Sequence, residues 1–340
     1  MAESASTCRC LKNIGAKRDG MKLVYVIAQS HTGSTLLDCI LGQHPDFQST
    51  GEFKHLTWQL FRTLSNKGTV EEGSACSCGE DFRDCQLWSK VVDHSSKITG
   101  INVSKYPYEL NINFFNKKSY RDRGGEKRSL KDHFQSRLTR FLLELGFGYK
   151  FISYVVPSIK AWLPNAWRVY AAVSEVSGRE FVVDSSKDRT LALLFKRYKP
   201  EKVHILFLHR SVVGIAASSK SLARKRGIDF DINKVFAETE EFEKTVLKYQ
   251  RLLRGDAFND VYYEDLVRLP ADFVNSMAQQ LGSRKKVEMP NNAFFIEPNK
   301  LHIVAGNPMR YRGRQQVVFD DRWKLELTEE EKELVKRRLK

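Results

Sequence analysis

The stretch Lys22–Leu41 constrains the fold of this chain more than any other. Its first seven residues, KLVYVIA, are apolar, β-branched or aromatic apart from the opening lysine, the composition of a strand buried on both faces. A polar loop, Gln29–Gly33, follows, and Ser34–Leu41 (STLLDCIL) then places apolar residues at helical spacing. Strand, glycine loop and helix in that order open an α/β fold of the P-loop type. Phe181–Asp184 and Val203–Leu208 read as further buried strands, each leading into a helical pattern, Arg189–Tyr198 and Val212–Arg224. An amphipathic helix at Lys234–Leu253, a strand at Asp260–Tyr263 and a helix at Ala271–Leu281 continue the alternation. Such alternation predicts a parallel sheet with helices on both faces.

Residues from about 67 to 178 break the rhythm and predict a mostly helical insertion, with helix running through Phe134–Val176. Residues 1–21 read as a loose tail and 22–340 as a single domain. Ser283–Asp321 has little periodicity and reads as a long loop, and Thr328-Glu-Glu-Glu331 is a capping box for a last charged helix. No apolar run approaches the ~20 residues that span a bilayer, and no signal-peptide core precedes a cleavage site, so a cytoplasmic location is the expectation. The net charge of +15 favours anionic partners. Its densest run, Lys117–Arg140, holds nine Lys or Arg against three acids, but no nucleic-acid module accompanies it and nucleic acid is not an expected partner. A solvated basic surface accounts for most of the individual lysines and arginines.

Of six cysteines, Cys39 sits in an apolar helical pattern and reads as core. Cys76, Cys78 and Cys85 form a cluster that can bind a metal, alone or with Cys8 and Cys10, form a disulfide, or remain as reduced thiols in a packed loop. The cluster lacks the paired C-x-x-C spacing of a strong zinc signal, so reduced thiols are favoured and no metal ligand is assigned.

Ala28-Gln-Ser-His-Thr-Gly33-Ser34-Thr35 fits the phosphate-loop spacing at every fixed position but one, where Ser34 replaces the lysine. Backbone amides at the helix N-terminus, with the hydroxyls of Ser30, Thr32, Ser34 and Thr35, make an anion cradle. An ordinary strand-to-helix connection is the duller reading. ATP and GTP enzymes use the lysine and Mg²⁺ because the transferring phosphoryl group carries several negative charges. A sulfuryl group carries one fewer, so hydroxyls, amides and one nearby cation suffice without a metal. Against this, Phe181–Asp184 offers a strand-end acid for magnesium.

The segment Ser30–Glu52 (SHTGSTLLDCILGQHPDFQSTGE) resembles the 5′-phosphosulfate loop, helix and following turn of sulfotransferases that use 3′-phosphoadenosine-5′-phosphosulfate (PAPS). The resemblance is to the bacterial type and to tyrosylprotein and carbohydrate sulfotransferases. Leu206–Gly227 (LFLHRSVVGIAASSKSLARKRG) is similar to the family's 3′-phosphate segment, whose arginine and serine fall here at Arg210 and Ser218. Val183–Asp188 (VDSSKD) resembles the lysine-bearing turn, Tyr262–Leu266 (YYEDL) a further family element, and His302–Arg310 (HIVAGNPMR) the C-terminal nucleotide loop. A cysteine loop like CSCGEDFRDCQLW also occurs in bacterial members. The similarity covers roughly 22–56 and 181–326 and leaves the helical insertion unexplained.

The resemblance implies PAPS as donor and cosubstrate, no required metal, and in-line transfer to a hydroxyl or amine of a small-molecule or glycan acceptor. It implies Glu52 as general base, with Lys187 stabilising the leaving oxygen. His31 stands where many members carry Lys or Arg, so one expected cation is in doubt, and Lys187 is expected to carry more of the burden. Donor contacts are expected from Ser30–Thr35, Arg210, Ser218, Tyr262, Arg310 and Arg312, with Arg314 as a further arginine that can close over the 3′-phosphate. Trp58 and Tyr262 are possible stacking partners, although aromatic packing is the commoner role, and His55 and His302 are fallback bases. Two other readings stand beside this one: an ATP- or GTP-dependent phosphoryl-transfer enzyme with a degenerate loop, and a non-catalytic binder of an anion.

Overall fold

A computed structural model describes residues 20–65, 75–105, 130–253, 258–288 and 293–338. The expected tail, with Cys8 and Cys10, lies almost wholly outside them, as does most of the basic run from Lys117. In chain order the larger elements are β1 (Lys22–Ala28), α1 (Ser34–Leu41), β2 (Phe47–Ser49), α2 (Leu56–Ser65), α3 (Trp88–Thr99), α4 (Leu130–Glu144), α5 (Tyr149–Val155), α6 (Pro157–Ser177) and β3 (Phe181–Asp184). They continue with α7 (Arg189–Tyr198), β4 (Val203–His209), α8 (Val212–Arg226), α9 (Ile232–Leu253), β5 (Phe258–Tyr262), α10 (Tyr263–Arg268) and α11 (Pro270–Gln280). A short pair, β6 (Phe295–Ile296) and β7 (Gln315–Gln316), and two last helices, α12 (Trp323–Glu326) and α13 (Glu329–Arg338), close the chain.

Five strands pair in parallel in the order β2-β3-β1-β4-β5. β1 is central because every second side chain can be buried on either face: Leu23, Tyr25 and Ile27 enter one core, Val24, Val26 and Ala28 the other. The first core is closed by α3, α6 and α7, so helices of the expected insertion cover one face of the sheet. The second is closed by α1, α10 and α11. Helices on both faces of a parallel sheet are the predicted architecture.

The structure departs from expectation in three places. β2 has only three residues, too few to show a period, and reads as a turn in the sequence. The helical stretch 134–176 is three helices, interrupted at Gly146–Gly148 and before Pro157. The loop 283–321 is not bare: it holds the antiparallel pair β6–β7 and two 3₁₀ turns, Pro298–Lys300 and Pro308–Tyr311. The capping box forms as read, Thr328 N donating to Glu331 Oε2 at 2.7 Å and Glu331 N to Thr328 Oγ1 at 3.2 Å.

Candidate active site

Because the strands are parallel, their carboxyl ends share one edge of the sheet, where ligands of open α/β folds bind. β1 delivers the loop Gln29–Gly33 to that edge, β2 delivers Glu52, β3 delivers Lys187 and β4 delivers Arg210. Ser30, His31, Gly33, Glu52, Lys187 and Arg210 line a single cavity of about 750 Å³. The chain order also switches direction at β1, which lies between β3 and β4.

Gly33 has φ 92°, and a Cβ there would lie 2.7 Å from the Tyr263 ring, so the loop's fixed glycine is required twice over. Ser30, His31, Ser34 and Thr35 line the cavity. Thr32 does not: it is buried and its hydroxyl donates to Gln29 O at 2.8 Å, holding the loop's own shape. Thr35 Oγ1 accepts from Asn307 N at 3.1 Å and so fastens the C-terminal loop to the phosphate loop.

Glu52 and Lys187 meet directly, Oε1 to Nζ at 2.8 Å, and Glu52 Oε2 lies 3.3 Å from His55 Nε2. Burial alone would raise the Glu52 carboxyl, but the His55 contact and the Lys187 ammonium outweigh it and hold the group at about 2. The two turns are tied together: Ser185 N donates to Gly51 O at 2.9 Å and Lys54 N to Ser186 Oγ at 3.0 Å. Behind them Asp184 is fully buried, accepting from Tyr170 Oη at 2.6 Å and Ser186 N at 2.7 Å, and burial pushes its carboxyl up to about 6. Asp184 does not line the cavity, so the strand-end acid that a magnesium-dependent reading requires is turned into the protein.

At the other end of the cavity Arg210 stacks 4.1 Å from the centre of the Tyr263 ring and donates to His31 O at 2.9 Å. Its second amino group bonds Asp320 at 2.9 Å, and Arg322 binds the same carboxylate through Nε and Nη2, both at 2.7 Å. Ser218 lies two turns into α8 with its hydroxyl 3.1 Å from His31 Nδ1. Burial first, then Lys187 and Arg210, lower the His31 pKa, so the ring is neutral at pH 7. Lys187, Arg210, Lys225, Arg226, Arg312 and Arg322 line the cavity against three acids, Glu52, Asp320 and Asp321. The field inside is therefore positive.

Among the described residues, three non-glycine backbones take positive φ: His31 at 68°, Lys187 at 61° and His302 at 58°. Two line the cavity, as expected where strain is held by surrounding structure at a working site.

Several expected residues lie elsewhere. Tyr262 is half-exposed and stacks on His209, while its neighbour Tyr263 lines the cavity. Tyr262 ends β5 and Tyr263 opens α10, and the packing against Gly33 shows that Tyr263 is the ring that faces the cavity. Arg310 is buried and donates to the carbonyls of Ile303 and Val304, so it braces the loop that Arg312 extends into the cavity. Arg314 lies over the Phe295 ring, and Trp58 packs near Phe61. His302 faces Cys76 and Cys85, and His55 reaches Glu52, so neither fallback base lines the cavity. Asp320 and Arg322 were missed because nothing in their local pattern marks them.

Three solved structures are similar to this chain over most of its length. The sulfotransferase domain from the Synechococcus PCC 7002 olefin synthase has 14% identity and a TM-score of 0.41, covering 96% of this chain and 98% of that one. The sulfotransferase domain from the curacin biosynthetic pathway has 14% identity and a TM-score of 0.41, covering 94% and 97%. A sulfotransferase from Alicyclobacillus acidocaldarius has 13% identity and a TM-score of 0.36, covering 79% and 86%. No family model and no curated protein matches the chain. At such identities the function rests on the cavity itself.

Proposed function

We propose that this protein transfers the sulfuryl group of PAPS to a hydroxyl or amine of a small-molecule or glycan acceptor. The observation that carries the reading is the convergence in one cavity of a loop with phosphate-loop spacing but no lysine, Arg210 with Ser218, and the Glu52–Lys187 pair. A lysine-free loop suits a sulfuryl group, and a second cationic site suits a donor with phosphates at both ends of its ribose. Val317–Phe319 adds an apolar rim to the cavity, suited to covering a purine.

In this mechanism the acceptor oxygen or nitrogen attacks sulfur in line with the bond to the 5′-phosphate oxygen. That S–O bond breaks, its electron pair stays on the leaving adenosine 3′,5′-bisphosphate, and the acceptor proton passes to Glu52. Loop amides and hydroxyls hold the sulfuryl oxygens. Lys187 donates to the leaving oxygen. In the resting protein Lys187 keeps Glu52 ionised but weakly basic. Recruitment of Lys187 by the donor removes that partner and raises the basicity of Glu52 only when a donor is present. Neutral His31, held by Ser218, keeps a nitrogen at the cavity wall without adding charge.

A thermal-shift comparison tests the donor. Stabilisation by adenosine 3′,5′-bisphosphate without added Mg²⁺ is expected, and a preference for Mg-ATP would sink the proposal. Transfer of labelled sulfate from PAPS to a member of an acceptor library, lost in Glu52→Ala, separates an enzyme from a non-catalytic binder.

A further inference from the structure

The cluster Cys76, Cys78 and Cys85, unassigned in the sequence, acquires a fourth member in the fold. His302 arrives from 217 residues beyond Cys85, and the four ligand atoms lie within 4.8 Å of one another. The spacings are 3.6 Å for Cys85–Cys76, 3.8 Å for Cys78–Cys85, 3.8 Å for Cys76 Sγ to His302 Nδ1 and 3.2 Å for Cys85 Sγ to the same nitrogen. A tetrahedral zinc with Zn–S of ~2.3 Å and Zn–N of ~2.0 Å has S···S edges of about 3.8 Å and S···N edges of about 3.5 Å. Three cysteines of one loop and a histidine from a distant part of the chain thus stand at separations that suit the ligands of one zinc ion. The sulfurs are far beyond the ~2.05 Å of a disulfide, and all three are free thiols.

The surroundings are those of a ligand set. Cys76 and Cys85 are fully buried in the core with Phe82 and Trp88. Gly79, at φ 93°, turns the short Cys76-Ser-Cys78 loop back on itself, its amide donating to Cys76 O at 2.9 Å. Trp88 Nε1 donates to His302 O at 2.7 Å, so the imidazole is presented by a held, left-handed backbone.

We propose that Cys76, Cys78, Cys85 and His302 Nδ1 bind one structural Zn²⁺. Four protein ligands leave no open position, so the metal is a fastener and takes no part in the chemistry. What it fastens is specific. Ser77 N donates to Ile303 O at 3.2 Å and Ile303 N to Ser77 Oγ at 2.8 Å, joining the cysteine loop to the segment after His302. The same segment supplies Ala305 O to Glu52 N at 3.0 Å and continues into Asn307 and Arg312 of the cavity wall. Zinc therefore pins the C-terminal wall of the cavity against the Gly51–Glu52 turn, whatever reaction the cavity performs.

The test is metal analysis of the full chain, purified without added metal and with any affinity tag removed. One zinc per chain by inductively coupled plasma mass spectrometry is expected. Cobalt exchanged into the protein is expected to show thiolate charge-transfer bands and the intense visible bands of a tetrahedral site. Cys85→Ser and His302→Ala are expected to lose metal, and His302→Cys, which restores a fourth ligand, to retain it. The double variant Cys8→Ser with Cys10→Ser is expected to keep full zinc. Iron in place of zinc, a metal-free protein whose native thiols react freely, or zinc lost on removing Cys8 and Cys10 overturns the assignment. Since the readout is metal content, its failure leaves the sulfuryl-transfer proposal standing, and the converse holds.

Discussion

At the scale of single residues, the Glu52–Lys187 contact sets the pH behaviour of the proposed reaction. With its carboxyl at about 2 in the resting protein, Glu52 is ionised at any pH above that. The acid limb of kcat/KM, which reports the free enzyme, is therefore expected to lack a Glu52 contribution between pH 5 and 8. Lys187→Ala removes one of the two groups that lower it and leaves His55, so the carboxyl should rise part of the way from about 2 toward its ordinary 4.5 and bring an acid limb up with it. Glu52→Gln should cut kcat by ~10²–10⁴-fold. Calorimetric affinity for adenosine 3′,5′-bisphosphate should stay within a few-fold of wild type, and an unchanged kcat removes Glu52 as the base. His31 titrates in the other direction. Its pKa is depressed by burial and by Lys187 and Arg210, and a bound anion opposes that depression and favours the protonated ring. Protonation favours the bound state, and affinity for adenosine 3′,5′-bisphosphate should gain from falling pH. The ligand's own phosphates lose charge over the same range, so the measurement is the difference between wild type and His31→Gln. Parallel profiles for the two proteins would refute the role.

At the scale of elements, the working turns are positioned from behind by Asp184, which joins β3, α6 and the turn after β2. Tyr170→Phe removes the hydroxyl that α6 gives this carboxylate and leaves a buried acceptor short of a donor. Chemical denaturation should show a loss of ~1–3 kcal/mol. Sulfate transfer should fall with little change in donor affinity, since Arg210 and the phosphate loop are untouched. The strands and most helices around these turns were legible because a parallel sheet needs unbroken apolar runs and its helices a 3.6-residue period. Residues that follow directly from strand ends, namely Ser30–Thr35, Glu52, Lys187 and Arg210, could be expected in one place for the same reason. Ser218 followed from its distance along α8. β2 was hidden by its length. The inward turn of Tyr263 over Tyr262, the bracing role of Arg310 and the meeting of His302 with three cysteines are tertiary outcomes, and no local pattern encodes them.

At the scale of the whole molecule, the cavity is closed by a segment that leaves an anion of its own inside it. Asp320 lies 110 residues beyond Arg210 yet supplies the carboxylate that Arg210 and Arg322 share. Arg210's side chain is 5% exposed and Asp320's 17%, so the guanidinium would be a largely uncompensated buried charge without this partner. Hydrogen bonds from Arg322 and Arg210 hold the Asp320 carboxyl well below the usual carboxylate range, and it stays charged throughout the working pH range. In the proposed complex, a 3′-phosphate reaching Arg210 must then share it with, or displace, a fixed negative charge. Asp320→Asn keeps the shape and removes the charge. The ligand-free variant should melt at a lower temperature, because Arg210 and Arg322 lose their counter-ion. Its affinity for adenosine 3′,5′-bisphosphate should rise about tenfold, or ~1.4 kcal/mol, as like-charge repulsion is removed. The two effects have opposite sign in a thermal-shift experiment: a lower starting point and a larger increase at saturating ligand. A variant with both a lower melting temperature and a smaller increase would show instead that Asp320 orients Arg210 for the ligand and does not compete with it.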